Sequence, residues 1–124
     1  MNTIKITKYR DLIVWQKADL TFLMIYKDSL RFPRNKVASS ITDQVIKSVS
    51  SISAIIAEGY AKGGNKEFAR YLKIARGSLA ESDNWIHKIH QLDWITNERT
   101  EDYYNLFEEI NKMINSLIFK LNNS

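Results

Sequence analysis

A glycine-rich stretch, IAEGYAKGGNKEF (residues 56–68), comes closest to a chemical motif in this sequence, with three glycines ahead of Lys66. A phosphate-binding loop needs glycine, four residues, glycine, lysine and then serine or threonine. Its backbone N–H groups wrap the phosphates and its hydroxyl holds magnesium. Here Asn65 adds one residue between Gly64 and the lysine, and Glu67 occupies the hydroxyl position, where it would repel phosphate. We therefore predict no nucleotide site in this stretch.

The same residues have the features of a corner between two helices. Gly63 or Gly64 can adopt the left-handed backbone angles that end a helix. Asn65 can cap the next helix by accepting a backbone N–H bond. Gly59 differs, because it falls on the apolar face of the preceding helical run. Without a side chain it should let a neighbouring helix cross closely, although glycine costs a helix about 1 kcal/mol.

Two histidines are the best candidates for metal ligands. His87 and His90 are three residues apart, so they share one side of a helix. A metal centre in a helical bundle uses Glu-x-x-His pairs from two helices. Asn84 stands where the glutamate before His87 should be. We therefore predict no metal site and no cofactor.

Glu58 and Glu81 form a candidate carboxylate pair, since they could face each other across two neighbouring helices. We favour the alternative, in which one or both make a salt bridge with Lys62 or Arg76. Helical spacing alone assigns no Ser-His-Asp arrangement either. The sequence therefore predicts that the chain is not an enzyme.

Basic residues form a row near the corner. At 100° per residue, Lys66, Arg70 and Lys73 fall within about 60° of one another, opposite the apolar side of their helix. Such a row can contact phosphates along a nucleic acid, and Tyr60 and Tyr71 are near enough for bases to stack on. The alternative is an ordinary solvated face. The candidate nucleic-acid-binding residues are Lys62, Lys66, Arg70, Lys73 and Arg76.

Charge is divided unevenly along the 124 residues. Residues 1–76 carry 14 Lys or Arg against 6 Asp or Glu, whereas residues 77–124 carry 4 against 8. This asymmetry indicates an anionic partner for part of the surface, and it also suits head-to-tail contacts between copies of the chain. The chain has no cysteine, no secretory signal and no apolar run long enough to span a membrane. We expect a cytoplasmic protein without membrane contact.

Helical periodicity organises the whole chain, which has one proline and four glycines. Apolar residues recur at helical spacing in runs at about 12–30, 39–61, 66–92 and 97–121, with Ser39 or Ser40 as a cap for the second. The predicted fold is a single all-α domain, an antiparallel up-and-down four-helix bundle. Its predicted core stripes include, in the third run, Phe68, Leu72, Ala75 and Leu79, and in the fourth, Tyr103, Leu106, Ile110, Met113, Leu117 and Leu121.

Four segments in order, YRDLIVWQKA, FP, IAEG and KEFARYLKIARGSLAES, resemble a known family. These are the four-helix-bundle proteins encoded within intervening sequences of bacterial 23S ribosomal RNA genes. They are related to the accessory variability protein of diversity-generating retroelements. The resemblance covers about residues 9–121. It implies a ring-shaped homo-oligomer, commonly a pentamer, a basic surface that engages nucleic acid, and no enzymatic activity.

Matching positions imply packing and assembly roles for several residues. The family usually has basic residues in the first half of the second helix, where this chain keeps only Lys47. That departure leaves the row on the third helix as the basic surface, and Trp85 and Trp94, expected to be exposed, would support ring assembly. The residues to which the resemblance gives structural or assembly roles are Glu58, Gly59, Phe68, Gly77, Ser78 and Glu81.

The sequence therefore predicts a non-enzymatic, oligomeric helical protein that associates with RNA or DNA through a basic face. The alternative is a scaffold or adaptor whose partner is another protein. It is suggested by the acidic second half and by the small residues Ser50, Ser53, Ala54 and Ala57 on the second helix.

Overall fold

The computed structural model describes residues 5–124 and contains no strand in that range. A short 3₁₀ turn at Tyr9–Asp11 precedes four helices: α1 (Ile13–Ser29), α2 (Lys36–Lys62), α3 (Asn65–Gln91) and α4 (Asn97–Asn122). Each helix packs against the next, and α1 closes the bundle against α4. The predicted all-α, up-and-down four-helix bundle is confirmed. None of its helices is both long and apolar enough to cross a membrane among the residues described.

The interior is a single apolar cluster to which all four helices contribute. Ala18 and Ile25 of α1, Val45 and Ile52 of α2, and Leu72 of α3 are fully buried. The predicted α3 stripe is buried throughout, and Phe68, at 9% exposure, lies at its edge. On α4 the buried line is Thr100, Tyr103, Phe107, Ile110, Ile114 and Ile118.

The predicted α4 stripe is rotated from the observed one. Leu106, Met113 and Leu117 are only partly buried, whereas Phe107 and Ile114 are buried. The reason is that α4 packs between α1 and α3, so its apolar arc is wider than one stripe. Periodicity identified the correct helix and the approximate face, but it could not centre that face.

Two of the predicted helix caps are wrong. α2 begins at Lys36, because the side chain of Asn35 caps it by accepting a bond from the backbone N–H of Ala38 at 3.0 Å, so Ser39 is inside the helix. Asn65 does not cap α3. It is the first residue of that helix, and its side chain donates to the hydroxyl of Ser124 at 2.7 Å.

Gly63 and Gly64 connect α2 to α3 with positive φ angles of 76° and 83°. Their ψ angles, 152° and 142°, lie outside the left-handed helical region that the sequence suggested. This extended, positive-φ conformation is open almost only to glycine. The double glycine therefore turns the chain through the corner within two residues.

Gly59 lies beneath α3 where the two helices cross. A Cβ added there would overlap the Cβ of Tyr71 and lie 2.9 Å from its Cγ, with Phe68 the next nearest residue. The first atoms of the Tyr71 side chain therefore fill the space that a side chain at residue 59 would need. Gly77, in the middle of α3, has nothing within 4 Å of its added Cβ.

A buried polar contact joins α1 to α4. The hydroxyl of Tyr103, a fully buried residue, donates to Asp28 Oδ2 at 2.6 Å, and Arg99 Nε donates to the same oxygen at 2.8 Å. Burial, aided by the bond to Asp28, raises the pKa of the Tyr103 hydroxyl well above its ordinary value. The carboxylate thus has both a neutral and a charged donor, which makes its burial tolerable.

At the same end of the bundle, Asp93 and Trp94 lie in the connection that follows α3 and bond back to that helix. The backbone N–H groups of Trp94 and Asp93 donate to the carbonyls of Ile89 and His90, and Asp93 has a φ of 62°. Trp94 packs on Phe32 with ring centroids 5.0 Å apart. The expectation that Trp85 and Trp94 are exposed is wrong, because both pack partly buried against the core.

The two helical glycines predict opposite stability changes. Gly59→Ala should lower the free energy of unfolding by about 1–3 kcal/mol, because the new methyl group collides with Tyr71. Gly77→Ala should raise it by about 0.5–1 kcal/mol, because it gains helix propensity without a clash. Urea unfolding followed by circular dichroism measures both. A neutral Gly59→Ala variant would contradict the close crossing.

The contact between Asp28 and Tyr103 predicts a pH-dependent effect of Tyr103→Phe. At neutral pH this variant should lose about 1–3 kcal/mol of unfolding free energy, because Asp28 loses a donor. The raised pKa contributes stability to the wild type below about pH 10, where the unfolded tyrosine begins to ionise, and that contribution declines at higher pH. The difference between the two proteins should therefore shrink above pH 10. A constant difference from pH 7 to 11 would argue against the contact.

Candidate nucleic-acid interface

The α2–α3 corner places the predicted basic residues on the outside of the bundle. Lys62 is the last residue of α2 and Lys66 the second of α3, so the tight glycine connection keeps them close along the chain. Lys66, Arg70 and Lys73 point away from the core, on the side opposite Phe68 and Leu72. All five predicted residues are exposed: Lys62, Lys66, Arg70, Lys73 and Arg76.

Arg70 already has partners within the chain. Its Nε and Nη2 donate to the two carboxylate oxygens of Glu67 at 2.9 and 3.3 Å, and its guanidinium lies 4.8 Å from the ring centre of Tyr71. The hydrogen bond from Arg70 lowers the pKa of Glu67. Because both side chains of this ion pair are about half exposed, water screens it strongly. A phosphate can therefore compete with Glu67 for this guanidinium.

Arg76 is separated from the other four residues. Its Nη1 donates to Asn115 Oδ1 of α4 at 2.8 Å. It lines a groove of about 340 Å³ between α3 and α4, together with the acidic residues Asp83 and Glu108. Arg76 therefore bridges two helices and does not extend the outward row.

Three lysines of the row have no acidic partner in the part of the chain that the structure describes. Lys62, Lys66 and Lys73 make no salt bridge there, whereas the exposed carboxylates of Glu108 and Glu109 on α4 pair with Lys112 and Lys17. Unpaired ammonium groups on one surface attract anions and can release counterions from a nucleic acid. We define the corner face as Lys62, Lys66, Arg70 and Lys73.

Both tyrosines beside the corner face are partly buried, and each ring already packs against another side chain. Tyr60 meets Phe68 edge-to-face at 5.8 Å. The ring of Tyr71 is covered by Arg70, and its hydroxyl donates to Glu58 Oε2 at 3.2 Å. The suggestion that bases stack on these rings therefore has no support in the geometry. What remains is a surface that contacts phosphate charge.

The residues singled out for structure and assembly fall into two groups. Gly59 and Phe68 are buried where α2 and α3 cross. Ser78 is half-buried and its carbonyl accepts from Ser82, while Gly77 and Glu81 are exposed on α3. The second group thus has no packing role that explains it within one chain.

Glu58 and Glu81 do not form a carboxylate pair. Glu58 lies level with Tyr71, its hydrogen-bond donor, and Glu81 follows Tyr71 by ten residues. That separation is about 15 Å along a helix. The alternative for Glu58 was also wrong in its partner, which is Tyr71 and neither Lys62 nor Arg76.

The two histidines occupy the far end of α3. His87 is exposed, and His90 Nε2 lies 2.6 Å from Asn97 Oδ1, linking the end of α3 to the start of α4. Within residues 5–124, no three His, Cys, Asp or Glu side chains are grouped so that they could hold a metal ion.

A second exposed feature was missed by the sequence reasoning. α1 and its C-cap carry large apolar side chains that are 45–55% exposed, on the side opposite Ala18 and Ile25. The signal was present, since a helix with apolar residues on both faces exceeds what one core needs. We define this outer α1 stripe as Ile13, Leu20, Leu23, Tyr26 and Leu30.

Comparisons with known proteins give a consistent result. A solved crystal structure at 1.70 Å resolution, of a protein with unknown function from the S23 ribosomal protein family of Bacteroides thetaiotaomicron, superposes with a TM-score of 0.73 at 27% sequence identity. The match covers 86% of this chain and 98% of that one. No curated protein matches the chain. The family model described as "23S rRNA-intervening sequence protein" matches residues 10–116. The chain therefore belongs to the 23S rRNA-intervening sequence protein family.

Proposed function

We propose that this protein is a non-enzymatic, self-associating helical bundle that binds nucleic acid through the corner face. The observation that carries the proposal is the outward group of Lys62, Lys66 and Lys73, which has no acidic partner among the described residues. No cofactor or metal is required for such binding.

The dimensions of the corner face suit a phosphate backbone. Lys66 and Lys73 are seven residues apart, which is about 10 Å along α3. Over that length one strand of a duplex presents about three phosphates. Arg70 lies between the two lysines, and its exposed pair with Glu67 can be exchanged for a phosphate. Three or four contacts of this kind bind without reading sequence, because they reach no base edge.

A charge-reversal experiment tests this binding. Wild-type affinity for a structured RNA and a duplex DNA should fall with rising salt, with a log–log slope of about −3 for three or four neutralised phosphates. Lys66→Glu/Arg70→Glu/Lys73→Glu should lose roughly tenfold or more in affinity and most of that slope. Fluorescence anisotropy at several salt concentrations measures both quantities.

A charge-matched control separates a local site from overall charge. Arg34→Glu/Lys36→Glu/Lys47→Glu changes net charge by the same amount, at exposed positions just before and within α2. It should keep most of the wild-type affinity and the same slope. Equal losses in both triple variants, or binding that ignores salt in the wild type, would refute the corner face as the site.

Self-association is supported by the outer α1 stripe. Five large apolar side chains, half exposed along one helix, form a larger apolar surface than a monomer's isolated exposed residues. We propose that copies of the chain bury this stripe, with a pentameric ring as the arrangement implied by resemblance.

Light scattering on the purified protein tests the assembly. The wild type should be an oligomer at micromolar concentration, and Leu20→Lys/Leu23→Lys should be a folded monomer, because each copy would bury two unpaired charges. Val37→Lys/Leu92→Lys replaces exposed apolar residues elsewhere and should leave the oligomer intact. A monomeric wild type, or an oligomeric Leu20/Leu23 variant, would exclude this interface.

The protein-scaffold alternative has less support from the geometry. Three of the acidic residues on α4 that suggested it are paired within the chain: Asp102 with Arg99, Glu108 with Lys112, and Glu109 with Lys17. Their charge is thus partly offset before any partner arrives.

A further inference from the structure

We infer that the outward side of α3 takes the backbone of a double-helical nucleic acid in preference to an unpaired strand, with Gly77 as the point of closest approach. The inference rests on the proposed function and makes it narrower. It depends on two independent observations. The tyrosine rings beside the corner face already pack against other side chains, and no contact within the chain requires a glycine at position 77.

The occupied rings argue against unpaired strands. Proteins that bind single strands gain about 1–3 kcal/mol for each base stacked on an aromatic ring. Tyr71 is covered by Arg70 and tethered to Glu58, and Tyr60 packs edge-to-face against Phe68. The only large apolar residue of α3 that is substantially exposed before its C-cap is Ile74. A base splayed onto this surface would therefore find no platform.

A protein surface that binds a double helix needs different properties from one that binds a single strand. It presents more charge per unit length than a single strand, so each neutralised phosphate releases more counterion. Its bases are already stacked, so the protein has to supply only cations and a close fit to the backbone. The corner face supplies the cations at helical spacing, since three of its four residues lie on α3.

Gly77 supplies the close fit. The other glycine inside a helix, Gly59, is required because Tyr71 fills the space that a side chain at residue 59 would need. Gly77 has no atom within 4 Å of an added Cβ and sits in the interior of α3, where glycine is unfavourable by about 1 kcal/mol relative to alanine. At 100° per residue it lies within about 40° of Lys66, Arg70 and Lys73. Its gap is therefore available to a molecule outside the chain.

The exposed carboxylate of Glu81 marks the end of this surface. It lies one turn beyond Gly77, on the same side of α3, and would repel a phosphate. The bound backbone should therefore run from Lys66 to Gly77 and diverge before Glu81.

A competition experiment tests the preference. The full-length protein is titrated with a 20-base-pair RNA duplex, the matching DNA duplex and each unpaired RNA and DNA strand, at one salt concentration. Either duplex should bind about tenfold more tightly than its strands, since no stacking compensates the strands. The RNA and DNA arms show which duplex is preferred, and strands that bind as tightly as their duplex overturn the inference.

Gly77→Leu tests the point of approach. The variant should unfold at higher temperature than the wild type, because leucine is a better helix former and nothing crowds the site. Its duplex affinity should fall about fivefold or more, while Asn105→Leu, an exposed change on α4, should bind normally. Light scattering on Gly77→Leu should report the wild-type oligomer.

The outcomes separate this inference from the function on which it rests. If the wild type binds with the expected salt dependence, but strands equal the duplex or Gly77→Leu binds normally, the inference fails and the proposed function stands. If Gly77→Leu dissociates the oligomer, Gly77 contacts another copy of the chain and the inference is overturned. If the wild type shows no salt-dependent binding, both fail.

Discussion

The close crossing of α2 and α3 at Gly59 is the constraint on which the rest of this structure depends. Tyr71 occupies the space that a side chain at residue 59 would fill, so the two longest helices lie close together near their common corner. The positive φ angles of Gly63 and Gly64 let the chain reverse directly after that crossing. Because both helices are held there, cations from the end of one and the start of the other share a single outer surface. A flexible loop would not present them at fixed spacing.

Opposite ends of the bundle are stabilised by different means. At the corner, the packing of Tyr71 and Phe68 around Gly59 stabilises the contact between α2 and α3. At the far end, a carboxylate on α1 is bonded by a tyrosine and an arginine of α4, and Trp94 covers Phe32. The polar contact matters most for α1, which is the shortest helix. Both sides of α1 carry apolar residues: those on the inner side are buried and those on the outer side are exposed. Fixing the rotation of α1 determines which apolar side faces outward.

Much of the fold followed from helical periodicity, while the exceptions have local causes. The apolar stripes predicted four helices and the buried face of α3 correctly, because burial there involves a regular 3.6-residue repeat. The repeat could not centre the face of α4, which packs on two neighbours. It also could not choose Asn35 over Ser39 as a cap, since both residue types accept an N–H bond. The contact between Asp28 and Tyr103 joins residues 75 apart and has no sequence signal. For the site, the sequence identified the exposed cations, but the side-chain partners of Arg70, Arg76 and Tyr71 emerged only in three dimensions.

Lysine footprinting tests the central claim most directly, because it reads the corner face and the rest of the surface in one experiment. The purified protein is acetylated briefly, alone and with an RNA duplex, and each modified lysine is quantified by mass spectrometry. Binding at the corner face should protect Lys62, Lys66 and Lys73 and leave Lys27, Lys36 and Lys47 as reactive as before. Unchanged reactivity at the first three, or protection confined to the other three, would contradict it.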